Sequence, residues 1–212
     1  MTLRGLYAIT PDDADTSRLE ERVRTLFAAA AKGCAALQYR NKSAGPELQL
    51  EQARRLAVLA RASGVPFIVN DDIELAAAAG ADGVHLGRED GEIAAARRLL
   101  PGKLLGVSCY DSLAAARAAV AAGADYVAFG SVFPSATKPD AVRAPLHLFR
   151  EASALGVPLV AIGGITLENA GGVLDAGADA LAVISAVFDA PDLGARARAF
   201  ARLFAAQARA SP

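Results

Sequence analysis

Tryptophan is absent from this chain, and aromatic residues make up only 6% of its 212 positions. A core without many aromatic rings has to be built from aliphatic side chains. Alanine is concentrated in the stretches 28–31, 76–79 and 114–122, and it both favours helices and lets them pack closely. The composition therefore predicts helices with small side chains packed on a second kind of element, as in an α/β protein. It argues against an aromatic-rich binding module.

Cysteine is scarce as well. Cys34 and Cys109 lack the paired spacing of a metal site or a disulfide framework, which predicts a reducing compartment. The net charge of −1 offers no general attraction to nucleic acid or to an anionic membrane. No apolar run reaches about 18 residues, and no charged leader precedes an apolar segment at the N-terminus. We expect a cytoplasmic protein without a nucleic-acid or membrane partner.

Short apolar segments recur eight times, and each one ends in polar residues or glycine. They are Gly5–Thr10, Ala35–Arg40, Pro66–Asp71, Gly83–Gly87, Leu104–Cys109, Tyr126–Gly130, Pro158–Gly164 and Ala180–Ser185. An alanine-rich stretch of helical period follows each segment, and alternating strands and helices require a parallel sheet. Eight units without a compositional break predict one domain over residues 1–212, closed as a (β/α)8 TIM barrel. An open doubly wound sheet is the alternative.

The carboxyl ends of the strands are where such barrels place their active sites. The second segment runs into Gln38-Tyr39-Arg40-Asn41-Lys42, and strand alternation puts Gln38 and Arg40 on the interior face. A buried guanidinium requires an anion. Arg40 therefore indicates an anionic ligand, with a structural ion pair as the alternative.

Carboxylates follow the third and fourth segments. Asp71 and Asp90 would lie at adjacent strand ends, and together they suit Mg²⁺, which takes one or two carboxylates beside phosphate oxygens and water. Each could instead cap a helix, Asp71 or Asp72 one that starts at Ile73, and Asp90 one over Gly91–Leu100. The neighbouring Arg and Lys residues favour the metal site.

The fourth and fifth segments carry His85, Ser108 and Cys109. His85 has no partner at ligand spacing, so we interpret it as an interior histidine. Ser108 supplies a hydroxyl at the barrel mouth, but the sequence shows no base placed to make it a nucleophile, which argues against a Ser-His-Asp triad. Cys109 is interpreted as inert packing.

The last three strand ends offer a long loop, a glycine-rich turn and a turn that ends in serine. Residues 129–139 form the longest loop on the active face, where long loops are often functional, although an ordinary surface loop with a solvated lysine is the alternative. Between Pro134 and Pro139 it carries two hydroxyls and a lysine, which are Ser135, Thr137 and Lys138. Gly163-Gly164 and Ile184-Ser185 end the seventh and eighth segments, where barrels commonly hold a phosphate through backbone N–H groups.

In their order and spacing, these motifs resemble the thiamine-phosphate synthase family over nearly the whole chain. They are QYRNK at 38–42, ND at 70–71, GADGVHLGRED at 80–90, GVS at 106–108, FGSVFPSATK at 129–138, AIGGI at 161–165 and VISA at 183–186. The resemblance implies a transferase that couples 4-amino-2-methyl-5-hydroxymethylpyrimidine pyrophosphate with hydroxyethylthiazole phosphate. Pyrophosphate would leave first, and the thiazole nitrogen would capture the resulting pyrimidine-methyl cation.

The resemblance also implies a role for each matching position. Substrate contacts are expected at Gln38, Tyr39, Arg40, Asn41, Lys42, Asn70, Ser108, Ser135, Ala136, Thr137, Lys138, Gly164, Ile184 and Ser185. The catalytic residues would be Arg40, Lys42, Ser108 and Lys138. Asp71 and Asp90 would carry Mg²⁺, with Mn²⁺ as the alternative. The partners are then two small phosphorylated molecules, and the alanine-rich outer helices could pair in a homodimer.

Three positions depart from the family pattern. Arg88 stands where relatives often carry glutamine, Ala136 where a polar residue or proline is common, and Tyr110 where some have histidine. A related thiazole tautomerase tends to lose the metal carboxylates and uses a histidine near position 110, so Asp71, Asp90 and Tyr110 favour the synthase. A phosphosugar isomerase or epimerase would need an opposed acid–base pair, and a non-catalytic phosphate sensor would not need this cluster of charges.

Overall fold

A computed structural model describes residues 3–88, 90–134 and 142–210, with side chains as far as residue 206. Its strands are β1 (Gly5–Ile9), β2 (Cys34–Tyr39), β3 (Phe67–Asn70), β4 (Gly83–Leu86), β5 (Leu104–Tyr110), β6 (Tyr126–Phe129), β7 (Leu159–Ile162) and β8 (Ala180–Val183). They pair in parallel and in chain order, and β8 pairs back with β1. The predicted eight-stranded barrel is confirmed, and the open sheet is wrong.

Helices surround the barrel and connect its strands. In the described ranges they are α1 (Thr16–Ala30), α2 (Pro46–Ala62), α3 (Ile73–Ala78), α4 (Ile93–Leu99), α5 (Leu113–Ala121), α6 (His147–Ala152), α7 (Leu167–Asp175), α8 (Ser185–Phe188) and α9 (Leu193–Ala210). None of these described helices is both long and apolar enough to cross a membrane. The last helix packs on α1 and on the turn that ends at Gly33, where a Cβ on Gly33 would lie 2.5 Å from the Cβ of Ala201.

Side chains alternate between two separate cores, as the pleat of a strand requires. Those of Leu6, Leu37 and Val127 face the helices and belong to the larger cluster. Tyr7 and Tyr126 face the barrel interior, where they pack with small and branched aliphatic residues. The interior is thus filled at its base by two phenol rings, and the residues above them line an open space.

The helix starts decide between the expected roles of the aspartates. Asp72 caps α3, since its carboxylate accepts the Leu75 N–H at 2.8 Å. The α4 helix begins at Ile93 with Glu92 at its N-cap, two residues later than expected. The alternative in which Asp90 caps a helix over Gly91–Leu100 is therefore wrong, and the Asp90 carboxylate is left for another role.

Candidate functional site

A cavity of about 900 Å³ opens at the carboxyl ends of the strands. The predicted site residues that line it are Gln38, Arg40, Lys42, Asn70, Asp71, Asp90, Ser108, Gly164, Ile184 and Ser185. They come from six different strand ends, and the closure of the barrel brings them together around one space. The predicted contacts at Ser135, Ala136, Thr137 and Lys138 lie outside the described residues.

Two members of the QYRNK motif turn away from this cavity. The Tyr39 hydroxyl donates to Gln52 Oε1 at 2.9 Å, on the outer face of β2. Asn41 Nδ2 donates to the Asp13 carbonyl at 2.7 Å and to the same Gln52 oxygen at 2.9 Å. Because a strand alternates its faces, the position of Gln38 inside the barrel places Tyr39 outside it. These two side chains brace the loop after β1 and do not line the cavity. A substrate contact at Tyr39 or Asn41 stays a prediction, and it would have to come from the backbone.

Arg40 and Lys42 are the cations at the mouth. Arg40 Nη1 lies 2.8 Å from Asp12 Oδ1, and the same oxygen accepts the Lys42 backbone N–H at 2.9 Å. Lys42 Nζ lies 2.9 Å from Asp71 Oδ2. The structural ion pair considered for Arg40 is therefore present, and the guanidinium also lines the cavity. Both cations are held at the cavity wall by carboxylates that fix their positions.

Asp71 and Asp90 form an acidic pair beside these cations. Asp71 has a φ of 67°, and its N–H donates to the His85 carbonyl at 2.8 Å, which turns its carboxylate into the cavity while Asp72 caps α3. Asp90 Oδ2 accepts the Gly87 N–H at 2.8 Å. Burial, and then the adjacent Asp71 carboxylate, raise the pKa of Asp90.

The chemistry of this acidic pair suits Mg²⁺. In the described part of the chain, no group of three or more His, Cys, Asp or Glu residues is placed to hold a metal. Magnesium commonly takes one or two protein carboxylates and completes its shell with water and substrate phosphate oxygens. A divalent ion would also relieve the repulsion between the two carboxylates.

Five polar side chains are hydrogen-bonded in series along the cavity floor. Gln38 Nε2 donates to Tyr7 Oη at 3.2 Å, and Tyr7 Oη lies 2.8 Å from Tyr126 Oη. Tyr126 Oη lies 3.1 Å from His85 Nδ1, and His85 Nε2 lies 2.8 Å from Ser108 Oγ. A histidine therefore does stand beside Ser108, which the sequence did not show. A Ser-His-Asp triad is still not formed, because a phenol rather than a carboxylate meets His85 Nδ1.

His85 is an interior residue, as expected. It is only 8% exposed, and burial lowers its pKa to about 4, so the ring is neutral at physiological pH. Burial likewise raises the pKa of Cys109 to about 12, and its side chain packs in the outer core on the opposite face of β5 from Ser108. Its thiol is thus buried and protonated at physiological pH, in keeping with the interpretation as packing.

The opposite end of the cavity is built from backbone. Gly164 has a φ of 62°, and a Cβ at this position would collide with the Pro134 carbonyl, so only glycine lets the two loops meet. Asn169 of α7 braces the turn, because its Oδ1 accepts the Thr166 N–H at 2.9 Å and its Nδ2 donates to the Gly164 carbonyl at 3.0 Å. Ser185 begins α8, and the first N–H groups of a helix have no acceptor within it.

Two of the family departures contact each other at the rim. The guanidinium carbon of Arg88 lies 4.8 Å from the centre of the Tyr110 ring, which is a cation–π distance. Both side chains line the cavity. Arg88 therefore adds a third cation to the end of the cavity that contains Arg40, Lys42 and the two carboxylates, and its guanidinium packs on the Tyr110 ring.

Comparison with known proteins agrees with this geometry. The family model described as thiamine monophosphate synthase matches residues 6–187. The chain belongs to this family. It is similar to the thiamine-phosphate synthase of Aromatoleum aromaticum, at 62% identity over 95% of this chain and 97% of that protein. The thiamine-phosphate synthase of Methylobacillus flagellatus is 58% identical over 95% and 96% of the two chains.

A solved structure agrees as well. The thiamine phosphate pyrophosphorylase from Pyrococcus furiosus superposes with a TM-score of 0.83 at 36% identity, covering 97% of each chain. Membership of the thiamine monophosphate synthase family makes this chain an enzyme that transfers a group, as the motifs predicted.

Several residues of this cavity and of its supporting turn were not predicted from the sequence. Tyr7, Tyr126 and Asn169 were not singled out, and His85 was not connected to Ser108. Tyr7 and Tyr126 could have been found by extending the alternation applied to Gln38 along β1 and β6, where both face inward. Asn169 has the spacing of a capping box with Thr166.

Proposed function

We propose that this chain is a thiamine-phosphate synthase, which joins 4-amino-2-methyl-5-hydroxymethylpyrimidine pyrophosphate to hydroxyethylthiazole phosphate and releases pyrophosphate. One observation carries the proposal. A single cavity has two chemically different ends, one with Arg40, Lys42 and paired carboxylates, the other with the glycine turn at Gly164 and the start of α8 at Ser185. Such a cavity suits two phosphorylated substrates held with their reacting groups between them.

The charged end would bind the pyrophosphate of the pyrimidine substrate. When the bond between the pyrimidine methylene carbon and the pyrophosphate oxygen breaks, both electrons stay with the leaving group. Arg40, Lys42 and Ser108 would stabilise that charge, and Lys138 would join them from the loop. A preorganised donor of this kind is worth about 3–4 kcal/mol of barrier. No nucleophilic side chain is required, because the thiazole nitrogen supplies the electron pair for the new carbon–nitrogen bond.

Asp71 and Asp90 would hold Mg²⁺ at this end. When bound, the ion would neutralise phosphate oxygens and so favour departure of the pyrophosphate. Lys42, at 2.9 Å from Asp71, would keep that carboxylate oriented and would remain close to the same oxygens. Asp90 is held by the Gly87 N–H, so neither carboxylate depends on the ion for its position.

The glycine end would bind the phosphate of the thiazole. Backbone N–H groups beside Gly164 and Ser185 suit a monophosphate that is bound but not cleaved, because they offer hydrogen bonds without a mobile charge. Asn169 fixes the turn from below by bonding to both of its sides. The loop residues Ser135 and Thr137 would add hydroxyls to this phosphate.

Incubation of the purified protein with both precursors and MgCl₂ tests the proposal. We expect thiamine phosphate and pyrophosphate in equal amounts, and neither product when one precursor or the metal is left out. Conversion of a thiazole phosphate by the protein alone, without coupling, would support the tautomerase instead. Folded protein that forms no thiamine phosphate under these conditions would overturn the assignment.

A further inference from the structure

The hydrogen-bonded series from Gln38 to Ser108 has a direction, which follows from its first member. Gln38 Nε2 can only donate, and its partner is Tyr7 Oη. A phenol that accepts at its oxygen keeps its own proton for the next bond, so Tyr7 donates to Tyr126 across 2.8 Å. Tyr126 in turn donates to His85 Nδ1 across 3.1 Å.

This direction selects one tautomer of His85. A neutral imidazole carries one N–H and one free nitrogen, and Nδ1 is the free one because it accepts from Tyr126. Nε2 therefore carries the proton and donates to Ser108 Oγ at 2.8 Å. Because Nδ1 accepts and only Nε2 carries a proton, the ring is neutral in this arrangement. Burial raises the pKa of Tyr7 and Tyr126, so both phenols keep the protons that these hydrogen bonds require.

We propose that Tyr126 is a positioning residue that, through the Nε2–H tautomer of His85, makes the Ser108 hydroxyl a dedicated hydrogen-bond donor toward the cavity. Ser108 Oγ accepts from His85, so its own proton is directed to a ligand oxygen. A serine in this state is a poor nucleophile but a good donor to a phosphate. The inference rests on the proposed function in one respect, which is that the ligand oxygen belongs to the leaving pyrophosphate.

The packing around Tyr126 shows that its ring is fixed in place. It faces Gly106 across the β5–β6 pairing, and a Cβ on Gly106 would overlap the Cζ and Oη atoms of Tyr126. The ring also stacks on His85 with 5.6 Å between centroids and meets Tyr7 at 6.0 Å. This packing fixes the position of the Tyr126 hydroxyl. Removing the hydroxyl therefore leaves His85 Nδ1 without its hydrogen-bond donor.

The tautomer can be measured directly. The chain has two histidines, and the other, His147, is exposed, so ¹⁵N–¹H correlation spectra of labelled protein contain two ring systems and an internal reference. We expect a protonated Nε2 and a free Nδ1 for His85 in the unmodified protein. Tyr126→Phe should change the tautomer populations of His85 and leave His147 unaltered. A protonated Nδ1 in the unmodified protein would reverse the series and overturn the proposal.

Kinetics test whether Tyr126 acts through Ser108. We expect Tyr126→Phe to lower kcat about 10-fold with less than about a 3-fold change in KM, as for a donor used mainly in the transition state. In a Ser108→Ala background the same change should have almost no further effect, because residues of one unit are not additive. Full additivity of the two losses would overturn the proposal.

A matched control separates positioning from general damage. Val127→Ala alters the neighbouring residue of β6, which faces the outer core. It should lower the melting temperature more than Tyr126→Phe does, because it opens a cavity, but it should leave kcat and the His85 tautomer unchanged.

If the chain fails to form thiamine phosphate, the inference can still be tested by the histidine spectra and by the binding of inorganic pyrophosphate. Tyr126→Phe should then weaken pyrophosphate binding several-fold, and unchanged binding together with an unchanged tautomer would refute the inference separately from the function.

Discussion

Asp71 and Asp72 are adjacent in the chain, and their carboxylates face opposite environments. Asp72 accepts the Leu75 N–H at 2.8 Å and starts α3, whereas Asp71 accepts Lys42 Nζ at 2.9 Å in the cavity. The left-handed φ of 67° at Asp71 is what separates them. A single residue of unusual backbone conformation thus lets one dipeptide serve both the fold and the site.

This pair allows a matched test of the metal site. Asp71→Asn removes the negative charge, and asparagine tolerates a positive φ, so we expect a normal fold with kcat lowered on the order of 100-fold and a higher Mg²⁺ requirement. Asp72→Asn keeps a good helix cap and should retain kcat within about 2-fold. Steady-state assays over a Mg²⁺ titration measure both variants. Equal activity of the two would contradict the role given to Asp71.

The brace at the glycine end can be tested at Asn169. Asn169→Ala removes the bonds to the Thr166 N–H and the Gly164 carbonyl, so the turn loses its fixed position. We expect the KM for the thiazole phosphate to rise by roughly 10-fold, about 1.4 kcal/mol of binding, with the KM for the pyrimidine substrate nearly unchanged. Ser112→Ala serves as the control, because it removes a comparable cap on α5 away from the glycine turn. A uniform rise of both KM values would point to general loosening instead.

The barrel and most of the cavity wall could be predicted because they follow from local rules. Alternation along β2 places Gln38 inside, and parallel strands bring their polar ends together. The same alternation places the Tyr39 side chain outside, although the resemblance of the whole QYRNK motif implied a substrate contact at this position. The contacts of His85 could not be predicted, because Tyr126 lies 41 residues away in the chain, and only the closed barrel makes them neighbours. Asp12 and Asp13 were missed for a similar reason, since their partners lie on other elements.

Asp13 gives a prediction for stability against pH. Its side chain is only 2% exposed, and the hydrogen bonds from Arg18 hold the pKa of Asp13 below its usual range. The folded protein therefore gives up this proton more readily than the unfolded chain, whose aspartates titrate near about 4. The stabilisation is complete above that value and is lost as the pH falls toward the folded pKa.

We accordingly expect Asp13→Asn to lower the melting temperature at pH 7 by about 3–8 °C, since the Arg18 ion pair is lost. The gap to the unmodified protein should narrow as the pH falls below about 4. Asp192→Asn is the control, because it keeps an exposed cap for Ala195 and should shift the melting temperature little at any pH. Calorimetric scans between pH 3 and 7 would reveal the difference, and a gap independent of pH would show that the Asp13 charge does not stabilise the fold.

The close approach of Gly106 to Tyr126 predicts a coupled pair of mutations. Gly106→Ala places a Cβ against the Cζ and Oη atoms of Tyr126, and overpacking of this kind costs about 1–3 kcal/mol. Tyr126→Leu removes those atoms, so the double mutant should be more stable than the sum of the single losses by about 1 kcal/mol or more. Gly171→Ala is the contrasting control, because nothing lies within 4 Å of a Cβ there and alanine favours the helix by about 0.5–1 kcal/mol. Urea unfolding of the unmodified protein, the two single mutants and the double mutant measures the coupling. Additive losses would mean that the Tyr126 ring moves aside freely. The ring would then lack the rigid placement on which its hydrogen bond to His85 depends.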